Sequence, residues 1–283
     1  MKVESLAAAN FGVFGGAFYP FFAVIAVKLG ISSTLLALLT AAPFMGQLFA
    51  VYWGHRSDQG QKLPYVIFSG LLSRLLIVLI AFASKAEVFA LFIILHYLTA
   101  SIGGPAYTSL IKKKYPLEYR GQIMGRLQFI MGFLRMGSTY LAGMWLDSHG
   151  YTGIFLFAGI FGVLSTVIFT RIREEEDIVV AKKSFSLVEN LSLLKIDANL
   201  RLATIGFMLF GTGNLMLAPI YPLVQVQVFN MNNFQIGQLA IFWIIGWFLT
   251  ASIWGWIVDR FQPLYAIIIA IVLYLGSPIL YFM

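Results

Sequence analysis

Two uncharged stretches decide what this chain can become. No Asp, Glu, Lys or Arg occurs from Leu29 to Gly54, and none from Leu202 to Val258. The first is long enough to cross roughly 30 Å of hydrocarbon as one helix, and the second fits two such crossings. Between the first run and the next apolar segment sits a short polar loop, Gly54-His55-Arg56-Ser57-Asp58-Gln59-Gly60-Gln61-Lys62, which reads as a hairpin between two membrane helices. Its Gly-x-x-x-Asp pattern returns as Gly255-Trp256-Ile257-Val258-Asp259, so two related halves are expected. Only 11% of the residues are charged, against about 25% in a soluble domain.

Hydropathy predicts nine spans: about Ser5–Val27, Thr34–Trp53, Pro64–Ser84, Val88–Ile111, Gln122–Leu146, Tyr151–Thr170, 202–224, 236–258 and 264–283. The first lacks small, cleavage-like residues at its far end, so it is expected as a retained helix and not as a signal peptide. A shift to dense mixed charge from Arg171 to Lys195 marks a linker. Within it Phe185, Val188, Leu191, Leu194 and Ile196 fall mostly on one helical face and predict an interfacial amphipathic helix. The expected organisation is a six-helix bundle over 1–170, a cytoplasmic linker over 171–200 and a partial second bundle over 201–283.

Charge placement sets the orientation. Of the 19 lysines and arginines, the outer loops hold only Lys28 and Lys85, while Arg74 and Arg135 lie mid-span and the others on the inner side. That asymmetry puts the amino terminus in the cytoplasm of a plasma membrane, such as a bacterial inner membrane. It also accounts for the net charge of +7 without nucleic acid. The chain has no cysteine, so thiolate and disulfide chemistry are excluded. No cluster at metal-ligand spacing and no phosphate-cradling glycine loop occurs, so neither an enzyme, a cofactor nor a metal is expected.

The loop Gly54 to Lys62, the segment Tyr115-Pro116-Leu117-Glu118-Tyr119-Arg120-Gly121 and the return of the pattern from Gly255 to Arg260 resemble the loop motifs of the major facilitator superfamily. The resemblance implies an all-α polytopic membrane protein with a complete six-helix amino-terminal half and about three helices of the other half. The family has twelve helices, so a chain truncated after the ninth is expected. It implies secondary active transport of a small organic solute by alternating access, the alternative being a non-transporting membrane protein or inactive fragment that keeps the fold. It assigns gating to Gly54, Asp58, Lys62 and Arg120, and to Gly255, Asp259 and Arg260. It also puts helices 1, 4 and 7 on the central cavity and helix 3 at the periphery. The chain departs from the family at Gln59, where the loop arginine belongs, at Gln262-Pro263 in the second copy, and at His96, where many members carry an arginine.

Candidate solute-binding residues come from charge and helical face. A mid-membrane arginine costs at least ~2.5 kcal/mol, so Arg135 must face a cavity or a partner, and no acid lies within any predicted span. A solute anion is the attractive partner, with Gln128 on the same face; a neutral molecule that suits aromatic walls is the other option. Asn10 on helix 1, His96 on helix 4, and Asn214 and Tyr221 on helix 7 complete the expected set. His96 is the one conventional titrating group in a predicted span, hence the candidate for a coupling proton, and a coupling ion is the alternative. Arg74 lies among apolar and small helical neighbours and is read as a structural arginine bound to carbonyls or neighbouring polar groups. Membrane lipid is the remaining expected partner.

Overall fold

The computed structural model describes residues 2–172, 174, 192, 194–260, 269, 272–273 and 276, with the backbone alone over 250–260. Among the described residues every regular element is helical, and six segments are long and apolar enough to cross a membrane. The first, Lys2–Lys28, is α1 (Lys2–Phe18) followed by α2 (Phe22–Lys28). The second is α3 (Ser33–Leu48) with α4 (Ala50–Asp58), and the third is α5 (Leu63–Ile80). The fourth joins α6 (Ala86–Ala100) to α7 (Gly103–Lys114), and the fifth is α9 (Tyr151–Phe169). The sixth runs through α10 (Ala198–Leu217), α11 (Ile220–Leu223) and a π-helix, Val224–Val228. Between the fourth and fifth lies α8 (Leu117–His149), whose 33 residues reach about 50 Å. Its charges, Arg126 and Arg135 among them, make it less apolar than the others, and it packs along α1. Last comes α12 (Asn233–Arg260). The protein is an all-α integral membrane protein.

Two compact units divide the chain, Met1–Gln238 and Leu239–Met283. In the second, the described feature is an exposed aromatic pair on α12, Trp243 and Trp247, with ring centroids 6.0 Å apart. The expected ninth span (264–283) and most of the expected amphipathic helix, Phe185, Val188 and Leu191 included, lie outside the described residues.

The first unit is built around α1. Without a hydrophobic force between helices in lipid, close packing and hydrogen bonds must hold them together. Gly12 and Gly16 provide the packing. A Cβ on Gly12 would strike the Met131 carbonyl of α8, and one on Gly16 would strike the Arg135 carbonyl and come within 2.9 Å of Ser138 Cβ. Three hydroxyls grip the same helix from outside: Ser138 donates to the Val13 carbonyl (2.7 Å), Thr139 to that of Gly16 (3.1 Å) and Ser165 to that of Ala7 (2.8 Å). A buried layer of Phe14, Phe18, Phe21, Phe89 and Phe155 closes the core beside them.

Prolines explain the breaks in the first and fourth spans. Pro20 has no N–H to offer Gly16, its partner four residues back, and it disfavours helix at Tyr19. The chain turns there, between α1 and α2. The carbonyl so freed on Gly16 is the one that accepts the Thr139 hydroxyl. Pro105 acts likewise on Ser101, where α6 gives way to α7. Thr139→Val keeps the shape and removes the donor, so it should cost about 1 kcal/mol of bundle stability. The shift in unfolding midpoint of the purified protein measures it.

Candidate functional site

A cavity of about 380 Å³ lies inside the first unit, lined from α1, α5, α6, α7, α8 and α9. Along α1 its lining runs from Glu4 to Tyr19, about 22 Å of helix. That volume falls within the usual range of small-molecule sites.

Its electrostatics centre on arginine. The Arg74 guanidinium lies 5.3 Å from the Phe11 ring centroid and 5.9 Å from that of Phe14. Gly70 and Gly162 make room for it: a Cβ on Gly162 would come within 2.9 Å of Arg74 Cγ, and one on Gly70 would strike the guanidinium. Arg135 lies over Tyr19, 5.5 Å from its centroid. Among the described residues neither arginine has a carboxylate partner or a hydrogen bond, and the Nε of each is buried and bare. Cation–π contacts of this kind give about 0.5–2 kcal/mol each, short of full compensation for a charge in hydrocarbon.

His96 is 2% exposed and packs against Phe14, Phe18 and Tyr97. Its Nδ1–H donates to the Ser73 carbonyl at 2.8 Å, so Nε2 is the free ring nitrogen, and it has no partner. Near the amino terminus Glu4, 3% exposed, pairs with Lys114 and accepts from the Tyr115 hydroxyl at 2.7 Å. Burial and that hydrogen bond push the Tyr115 phenol up.

The expected solute residues divide. Gln128 and His96 line this cavity, and Arg135 reaches its Tyr19 wall. Asn10 does not line it, its amide donating to the Leu6 carbonyl at 2.8 Å. Asn214 donates to the Phe210 carbonyl at 3.3 Å, and neither it nor Tyr221 reaches the cavity. Arg74, read from sequence as carbonyl-bound at the periphery, faces the cavity with no such bond among the described residues.

The expected gate residues sit at the ends of spans. A Cβ on Gly54 would meet Pro105 of α7 at 3.4 Å, and Asp58 accepts from Ser109 of α7 at 3.1 Å. Asp58 therefore bonds a hydroxyl of the neighbouring span. Lys62 is 6% exposed, and the backbone N–H groups of Lys62 and Leu63 donate to Glu174 at 2.8 and 2.7 Å, so a distant carboxylate caps α5. Arg120 donates to the carbonyls of Lys112 (2.7 Å) and Tyr115 (3.0 Å), where cations suit the carboxyl end of α7. Gly255, Asp259 and Arg260 lie in the last turns of α12, and their side chains are outside the described residues.

A contact that sequence reasoning missed stands at the other ends of these spans. Asp147 accepts from Asn233 N and Nδ2, both at 2.8 Å, and from Phe234 N at 3.0 Å, capping α12. Lys28 donates to Asn233 Oδ1 at 2.8 Å, and Gly143 lets the start of α12 come close. Partners 86 residues apart carry no local signal. Asp147→Ala should cost about 1–2 kcal/mol through the lost cap, again read from the unfolding midpoint.

The family model described as Major Facilitator Superfamily matches residues 5–283. No curated protein matches the chain. Among solved structures, the chain is similar to a bacterial homolog to the human lysosomal transporter Spinster, inward-facing and unoccupied. The TM-score is 0.66 at 15% identity, over 92% of this chain and 62% of that one. The inward-facing, occupied form of a bacterial Spinster homolog gives 0.61 at 17% identity, over 92% and 61%. An auto-inhibited POT family peptide transporter gives 0.52 at 15% identity, over 80% and 51%. The chain thus spans less than two thirds of the length of each.

Proposed function

Because this chain belongs to the major facilitator superfamily, we propose that it moves a small organic solute with an anionic group across the membrane by alternating access. The observation that carries this reading is the pair of intramembrane arginines with no acid to meet them among the described residues. An intramembrane charge without a protein partner points to a solute. Repeated halves rocking about a midplane site supply the movement. The amino terminus lies in the cytoplasm.

In this reading Arg135 and Gln128 hold the solute, and Asp58, Gly54, Lys62 and Arg120 shape the inner gate, with Gly255, Asp259 and Arg260 as their counterparts. The contact of Asp147 with the start of α12 supports an outer lock that must break for the opposite face to open. Asp58→Asn should change the turnover rate several-fold while leaving solute affinity within roughly twofold, as a gating residue does. An unaltered rate would count against the gate.

Flux by the reconstituted full chain tests transport itself. Exchange of radiolabelled 4-hydroxybenzoate across proteoliposomes is the expected result. Binding without flux in either direction would leave a non-transporting protein that keeps the fold.

A further inference from the structure

We propose that the cavity inside the first unit binds a small aromatic monoanion, its carboxylate paired with Arg74 and a hydroxyl of the ligand donating to His96 Nε2. Arg74 supplies the only unpaired charge on the described lining, since Glu4 is already held by Lys114 and Tyr115. One positive charge calls for a ligand of one negative charge, and a guanidinium fork matches a carboxylate. The second observation is independent: His96, 2% exposed, is among the residues lining the cavity, and its buried Nε2 has no partner. A buried acceptor left unmade costs about 1–3 kcal/mol, which a donor on the ligand removes. The third is shape and surface. The walls near Arg74 are Phe11 and Phe14, which suit a ring, and the 380 Å³ volume holds a substituted one with room to spare. The role is distinct from that given to Arg135, which lies beyond Tyr19 and does not line the cavity.

This deepens the transport reading and rests on it only for where the ligand goes after binding. The test therefore measures binding alone, by calorimetry on the detergent-solubilised full chain. The ligands are 2-, 3- and 4-hydroxybenzoate, benzoate, inorganic phosphate and the matching hydroxybenzamides. The best hydroxybenzoate should bind at least about tenfold tighter than its amide, a charge-assisted pair being at stake. That comparison needs no substitution, so it stands even if a variant misfolds. Arg74→Gln should bring acid and amide within about threefold, and His96→Leu should abolish the advantage of the hydroxybenzoate over benzoate. Equal binding of acid and amide, no binding of any benzoate, or displacement by phosphate at comparable concentration would overturn the site. A charge preference that survives Arg74→Gln would overturn the role of Arg74, and an undiminished hydroxyl advantage in His96→Leu would overturn that of His96. Binding that holds while flux fails would sink the transport reading and leave this one standing.

Discussion

Gly16→Leu is expected to prevent the first bundle from assembling. The reason is local and steric: the Gly16 Cα faces the Arg135 carbonyl, with Thr139 N 2.9 Å from where a Cβ would stand. Backbone cannot step aside as a flexible side chain does. Separating α1 from α8 would also break the hydroxyl contacts from Ser138 to Val13 and from Thr139 to Gly16. Overpacking costs about 1–3 kcal/mol and more where backbone must shift, and each lost interhelical hydrogen bond adds about 0.6 kcal/mol or more. The sum is a large part of the 5–15 kcal/mol that holds a typical domain together. Gly137→Leu is the matched control, because a Cβ at Gly137 meets nothing within 4 Å. The measurement is the yield of monodisperse protein in mild detergent and its unfolding midpoint. Gly16→Leu should lose both, and Gly137→Leu neither. Equal behaviour of the two would mean that the close approach of α1 and α8 does not support the fold.

The second large effect is expected at Arg135. Arg135→Ala should insert as well as the parent chain, since it removes a charge that costs at least ~2.5 kcal/mol at mid-membrane. Exchange of the solute anion should nonetheless fall about thirtyfold or more, the scale of losing a buried charge that the anion meets beside Tyr19 on its way to Arg74. Arg135→Lys should recover part of the rate, because charge returns without the planar fork that lies over Tyr19. Retained insertion is read from membrane-fraction yield. Unchanged exchange in Arg135→Ala would remove Arg135 from the solute path.

How much of this was legible in the sequence depends on the distance over which each cause acts. Apolar length showed the six described spans, because it is a property of a single helix. The break at Pro20 is local as well, but the donor that satisfies Gly16 stands 123 residues away on α8. The caps that Glu174 places on α5 and Asp147 places on α12 are equally remote. Face geometry put Gln128 and His96 on a helix side that lines the cavity, whereas the amides of Asn10 and Asn214 bond carbonyls of their own helix. Arg74 is the instructive case. Its small and apolar neighbours suggested a structural arginine bound to carbonyls or neighbouring polar groups, and the family resemblance put its helix at the periphery. Gly70, on its own helix, and Gly162, on α9, are small because the guanidinium and its stem occupy the space that their side chains would fill.

The alternating passage of these helices through the bilayer underlies the proposed gate and the cavity alike. The native chain has no cysteine, so single cysteines can be labelled on intact cells without background. Gly60→Cys, where a side chain meets nothing within 4 Å, should react with a membrane-impermeant maleimide only after the cells are opened. Lys85→Cys and Gln227→Cys, both at exposed positions, should react from outside. Labelling of Gly60→Cys and Gln227→Cys from the same side would contradict the account, since the two ends of the bundle would then not face opposite compartments.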